Sequence, residues 1–203
     1  MNITRSFFSF SENIDVRSDT NGSTITGYAA VFEKLSDPIY GMFREKIRSG
    51  AFKESLKTNN VRALWNHNSD YVLGSTKTGT LKLEEDDKGL RFELTPPDTQ
   101  AGRDAVTSIK RGDVEGMSFG FLVRKQEWND EDAKNPIRTL LDVDLKEISP
   151  TGFPAYPQTS AGVRSIQDEY EDYQKESRAS IAERKRVATD LHKEKLFILS
   201  NEV

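Results

Sequence analysis

The run Gly116-Met117-Ser118-Phe119-Gly120-Phe121 constrains this chain more than any other stretch. Its large apolar residues fall at every second position, and a strand turns alternate side chains to opposite faces. Met117, Phe119 and Phe121 then enter a core, while Gly116, Ser118 and Gly120 share the other face. Glycine weakens a strand interior and marks places where a ligand or another backbone comes close. A hydroxyl between two such positions, on a strand anchored by its apolar side, stands where a nucleophile for an extended polypeptide is needed. Gly116 and Gly120 are read as the gap that admits the substrate.

The flanking sequence extends this sheet-based reading. Residues 24–32 (TITGYAAVF) are β-prone, and residues 61–67 (VRALWNH) alternate as a strand with Val61, Ala63, Trp65 and His67 on one face. Leu81 and Leu83, then Leu90, Phe92 and Leu94, alternate with charged residues across Glu84–Gly89, which predicts a hairpin. Residues 50–57 (GAFKESLK) predict a short helix with Ser49 as its N-cap. Residues 99–111 predict a second, capped by Thr99, turning Ala105 and Ile109 inward and ending at Gly112. The Ser118 strand runs to about Trp128, a polar turn covers 129–136, a last strand covers 137–148, and a proline-rich loop follows. The fold class expected is α+β and mainly β, with residues 1–165 as one domain. Residues 166–203 form a charged extension, expected to be helical, whose stretch 166–197 lacks glycine and proline. Ile166, Tyr170, Tyr173, Ile181, Ala188 and Leu191 give it only a broken apolar stripe. It is either a solvated helix or a segment for docking or removal.

Composition removes several function classes. A formal net charge of −4 argues against a partner held by phosphate neutralisation, so no nucleic acid is expected. No apolar run is long enough to span a bilayer, so no membrane partner is expected. The first residues carry no secretory pattern. There are no cysteines, which removes disulfides, thiolate metal sites and thiol nucleophiles together. With only two histidines, His67 and His192, a multi-histidine metal site is not expected either, and no cofactor is implied.

A serine hydroxyl needs a base to take its proton, and that base must be oriented by a third group. His192 lies in the charged tail beside Lys193 and Glu194, which leaves His67 as the base. In Leu141–Glu147 the odd positions are Leu, Val, Leu and Glu, so strict alternation puts Glu147 on the apolar face and Asp142 and Asp144 on the polar one. A core-facing carboxylate is costly unless paired, and a histidine is one available partner. Glu147 therefore ranks first as the orienting group, ahead of Asp144 and Asp142. A hydrolase built on Glu147 and Asp144 together is disfavoured, because alternation sends them to opposite faces.

These segments resemble the prohead serine proteases of tailed bacteriophages. The resemblance is carried by ITGYAAVFEKLSD, FREKIRSGAFKESL, VRALWNHNSDYVLGSTKTGTLKLEEDDKGLRFELTPPDT, GDVEGMSFGF and LLDVDLKEISPTGFPAYPQTSAGVRS, in order, from about residue 24 to 165. It implies a closed or partly closed antiparallel β-barrel flanked by short helices, similar to the herpesvirus maturational proteases. It implies Ser118 as nucleophile in the MSFGF block, His67 as base in the WNH block and Glu147 at the acidic position of the EIS block. The herpesvirus enzymes carry a second histidine at that third place; this chain has none near 147. The resemblance also puts oxyanion donors in the 149–157 loop or nearby, with the Ala155 backbone, Arg124 and Arg164 as candidates. It implies major capsid protein and scaffolding protein as substrates, work inside the immature capsid in the host cytoplasm, self-digestion, and a homodimer or higher oligomer. The competing expectation is a catalytically silent assembly protein that docks through its C-terminal helix.

Overall fold

The computed structural model describes residues 4–8, through their backbone only, then 14–20, 22–39, 41–129, 135–152, 170–176, 178–183 and 185–188. Contacts divide the chain into two units, 1–158 and 159–203. In chain order the first contains β1 (Thr4–Phe8), β2 (Asp15–Asp19), β3 (Gly22–Val31), β4 (Arg44–Ile47), α1 (Lys53–Thr58), β5 (Arg62–Trp65) and β6 (Asn68–Ser75). It continues with β7 (Leu81–Glu85), β8 (Gly89–Leu94), α2 (Gln100–Arg111), β9 (Gly116–Asn129) and β10 (Ile137–Thr151).

The alternation at 116–121 is realised in β9. Met117, Phe119 and Phe121 are buried, and the Phe119 ring meets Phe121 at 5.1 Å and Phe52 edge-on at 5.6 Å. Each such ring removed from water contributes about 1.5–3 kcal/mol. Strand β9 lies in a six-stranded sheet of order β1-β9-β10-β5-β6, with β4 also paired to β10. A second sheet has the order β2-β3-β8-β7. One core joins them: Ile25, Leu90 and Phe92 of the second sheet belong to the same buried cluster as Phe119, Leu145 and Ile148 of the first. The architecture is thus α+β, mainly β, with two sheets and few helices.

Local signals account for several elements. The β7–β8 hairpin forms in register, Leu83 opposite Phe92 and Leu81 opposite Leu94. The Thr99 side chain accepts the Gly102 N–H at the start of α2, and Gly112, at φ 78°, ends it in the left-handed region that glycine tolerates. Ala105 and Ile109 face inward. In the second unit, residues 170–176, 178–183 and 185–188 are helical, with exposed Lys175–Asp172 and Arg186–Glu183 pairs.

Three expectations need correction. Ser49 caps nothing. Ala51 and Phe52 are wholly buried, residues 49–52 turn to bury them, and α1 starts only at Lys53, with the Phe52 N–H taken by the Glu85 carboxylate at 2.9 Å. The 61–67 strand stops at Trp65; Asn66 and His67 form the tip of the β5–β6 hairpin, at φ 51° and 60°, with Trp65 paired to Asn68. Strand β10 runs on through Pro150 to Thr151, and its alternation is broken. Leu145 pairs with Phe121 and Glu147 with Gly120, so Lys146 is the extra residue of a β-bulge. Beyond the bulge the faces exchange. Ile148 and Pro150, opposite Phe119 and Met117, take the core side, while Glu147, Ser149 and Thr151 oppose Gly120, Ser118 and Gly116. Glu147 is therefore not on the Leu145 face. It shares the Ser118 face, and by register Asp144, opposite Leu122, lies on that face too.

Candidate active site

Strand β9 supplies Ser118 from the middle of a sheet, hydrogen-bonded to β10 on one edge and to β1 on the other, with Phe7 opposite it. Directly across the β10 ladder stands Ser149, and one pair further stands Glu147. Directly opposed residues project to the same side of a sheet, so both serines and the carboxylate form one cluster. Ser118 and Ser149 are fully buried, and Glu147 is nearly so.

His67 reaches this cluster from the β5–β6 tip. Its Nδ1 lies 2.7 Å from Glu147 Oε1. An ionised carboxylate only accepts, so the ring donates from Nδ1, and the neutral imidazole then carries its basic lone pair on Nε2. That is the tautomer a general base for a hydroxyl requires. The tip is fastened to the end of β10: the Asn66 N–H donates to the Pro150 carbonyl at 3.1 Å, and Thr151 Oγ1 donates to Asn66 Oδ1 at 2.8 Å. The His67 N–H donates to Ser149 Oγ at 3.2 Å, and Ser149 Oγ donates to Glu147 Oε2 at 2.6 Å. Holding two non-glycine residues in the left-handed region costs free energy, and such strain gathers at working sites that the surroundings hold fixed.

Gly120 does not stand beside open space. A Cβ built on Gly120 would fall 2.5 Å from Glu147 Oε1, so the space on that side holds the carboxylate. Asp144 is engaged elsewhere. It accepts from Asn59 Nδ2 at 2.6 Å and pairs with Lys146 at 2.9 Å and Arg124 at 3.4 Å. Burial alone would raise its carboxyl, but Lys146, Asn59 and Arg124 outweigh that and hold it below the usual aspartate range. Arg124 also approaches Asp142 at 3.9 Å and lies roughly 20 Å along β9 from Ser118, at about 3.3 Å per residue. Ala155 and Arg164 lie outside the described residues, as do His192 and the loop beyond Gly152. Ser149 was missed as a site residue because it reads as the start of a loop; its spacing of two from Glu147 was the available signal.

Comparison with known proteins shows the family. The family profile described as caudovirus prohead serine protease matches residues 12–176. The prohead protease of Enterobacteria phage HK97 is 32% identical over 165 residues, covering 78% of this chain and 68% of that protein. A solved structure, the bacteriophage T4 capsid assembly protease, aligns over 72% of this chain and 99% of its own with a TM-score of 0.44 and 10% identity. On the profile match and the HK97 relative, this chain belongs to the caudovirus prohead serine protease family and is a serine protease of capsid maturation.

Proposed function

We propose that this chain is an endopeptidase that removes scaffolding segments from the major capsid protein inside the immature capsid, with Ser118 as nucleophile, His67 as base and Glu147 as the group that orients it. The observation that carries the reading is the 2.7 Å contact between His67 Nδ1 and Glu147 Oε1, on the sheet face that Ser118 shares. Ser118 Oγ attacks the scissile carbonyl while His67 Nε2 takes its proton. The imidazolium formed is stabilised by the adjacent buried carboxylate. Nε2–H then protonates the departing amine, and water, activated by the same nitrogen, hydrolyses the acyl-enzyme. Each donor to the developing oxyanion is worth about 2.7–4 kcal/mol. The 149–157 segment, through a backbone N–H such as that of Ala155 or with Arg164 beside it, is the proposed source.

A barrel belongs to this reading, supported by the single core the two sheets share, though not the wholly antiparallel one expected, since β10 runs parallel to β4 and β5. So does self-association, carried by the resemblance to herpesvirus enzymes; a fully active monomer in sedimentation removes it. The charged segment 166–203 is proposed as a docking or removable tail. Among the described residues no helix is long and apolar enough to cross a membrane.

One experiment tests the reaction and the tail together: co-expression with the capsid protein, followed by intact mass of both proteins. Wild type should shorten the capsid protein and its own tail, and Ser118→Ala should leave both intact. Processing by Ser118→Ala at the wild-type rate would overturn the assignment. A wild type that assembles particles without cutting would favour a silent assembly protein.

A further inference from the structure

We infer that Ser149 is a positioning residue for the base, a side chain that couples the backbone of His67 to the carboxylate that orients its ring. This rests on the reading of Ser118, His67 and Glu147 as the reacting group. The three residues involved form a closed circuit. The His67 N–H donates to Ser149 Oγ at 3.2 Å, Ser149 Oγ donates to Glu147 Oε2 at 2.6 Å, and Glu147 Oε1 receives His67 Nδ1 at 2.7 Å. The direction of each bond follows from chemistry. An amide N–H can only donate, so it takes a lone pair of the hydroxyl, and an ionised carboxylate can only accept, so it takes the hydroxyl hydrogen. Ser149 thus spends its proton on Glu147. A hydrogen bond to a charged acceptor is stronger than a neutral one, and this one lies in a fully buried position.

Two further fasteners of the tip, Asn66 to Pro150 and Thr151 to Asn66, hold the turn without touching the carboxylate. Beside the ring's own bond to Oε1, Ser149 gives the tip a second hold on Glu147, through the His67 backbone, so a shift of either is felt by the other. Both carboxylate oxygens are occupied, one by the ring and one by the hydroxyl. Without the hydroxyl, Glu147 can rotate about its last bond, and the His67 ring follows it. The left-handed backbone of His67 makes this matter more, because a strained residue relaxes when a restraint is lost.

The test is a set of full-length variants: Ser118→Ala, Ser149→Ala, Ser149→Cys, Ser149→Thr, Glu147→Ala, and Glu147→Ala combined with Ser149→Ala. Each is assayed on a peptide spanning a junction that the wild-type enzyme cuts. Ser149→Ala should lower kcat about 10–100-fold, the scale of a misplaced reacting group, with KM within about twofold. Ser149→Cys, of nearly the same shape but a weak donor, should behave alike, and Ser149→Thr should restore most of the rate. In the Glu147→Ala background, removing Ser149 should cost less than about twofold, because a residue acting through another loses its effect when that other is gone. The downfield proton signal of the His67 ring should move in Ser149→Ala while the thermal midpoint stays close to wild type. Additive losses, or a Ser149→Ala enzyme at the wild-type rate beside an inactive Ser118→Ala, overturn this inference alone. Failure of both Ser149→Ala and Ser149→Cys to fold assigns Ser149 to the scaffold and overturns it too. An active Ser118→Ala overturns the active-site reading and the role of Ser149 with it.

Discussion

Gly120 faces Glu147 across the β9–β10 ladder, at a position where the extra atom of any other side chain would fall 2.5 Å from Oε1. Gly120→Ala must therefore displace a carboxylate held by both a ring and a hydroxyl. We expect a loss of about 1–3 kcal/mol in urea unfolding, the usual cost of overpacking, and a fall in kcat out of proportion to it. A variant cutting at the wild-type rate would show that the carboxylate position does not matter. At this scale Ser118 and its two glycines were legible, because period two is a local pattern. The pairing of Glu147 with His67 was anticipated for a reason the structure corrects. Alternation put Glu147 among the core residues, whereas the bulge at Lys146 turns it to the Ser118 face. Nothing in Asp144-Leu145-Lys146-Glu147 announces an extra residue, since the cause lies in the register with β9. The Asn66-His67 tip was also hidden, because a two-residue hairpin usually advertises itself with glycine at the second place.

Among elements, the hairpin β7–β8 was the most legible, and its tip carries a checkable charge. Tyr28 Oη donates to Asp86 Oδ2 at 2.6 Å, and the Lys88 and Gly89 N–H groups donate to Oδ1 at 2.8 and 3.0 Å. Burial alone would raise the Asp86 carboxyl, but these donors and Arg91 outweigh it and hold it below the usual aspartate range. A carboxyl more acidic when folded adds stability in full above the unfolded aspartate value of about 3.9, and loses it as pH falls through the lower folded value. Asp86→Asn should therefore melt earlier than wild type at neutral pH, with the gap closing as pH drops below about 3.9. A gap that persists unchanged in strong acid would refute this. Strands β4 and β6 had no such local signature. The place of β4 is set far along the chain, by Ile137–Leu140, and that of β6 by its hairpin neighbour β5.

The whole molecule hangs on β10, which binds β9 along one edge and β4 and then β5 along the other. Where β4 joins, Arg138 and Glu45 form an ion pair with both side chains fully buried, and the guanidinium stands 5.0 Å from the Phe43 ring. Removing one member of such a pair strands a charge. Glu45→Gln should cost about 3–5 kcal/mol in urea unfolding, while replacing both residues by apolar ones should recover most of it. A single substitution without effect would mean the pair is not closed in solution. The family-matched region begins at residue 12, so β1, which lines the outer edge of the Ser118 strand, precedes it. The bulge also has a hereditary meaning. Loss of the codon for Lys146 would keep the reading frame and restore plain alternation with Glu147 still opposite Gly120, whereas loss of the codon for Ile148, which also spares every residue of the proposed site, would turn Ser149 to the core side and exchange the two faces of the strand beyond it. Inactivating lesions in such a gene need not strike a residue that touches the substrate.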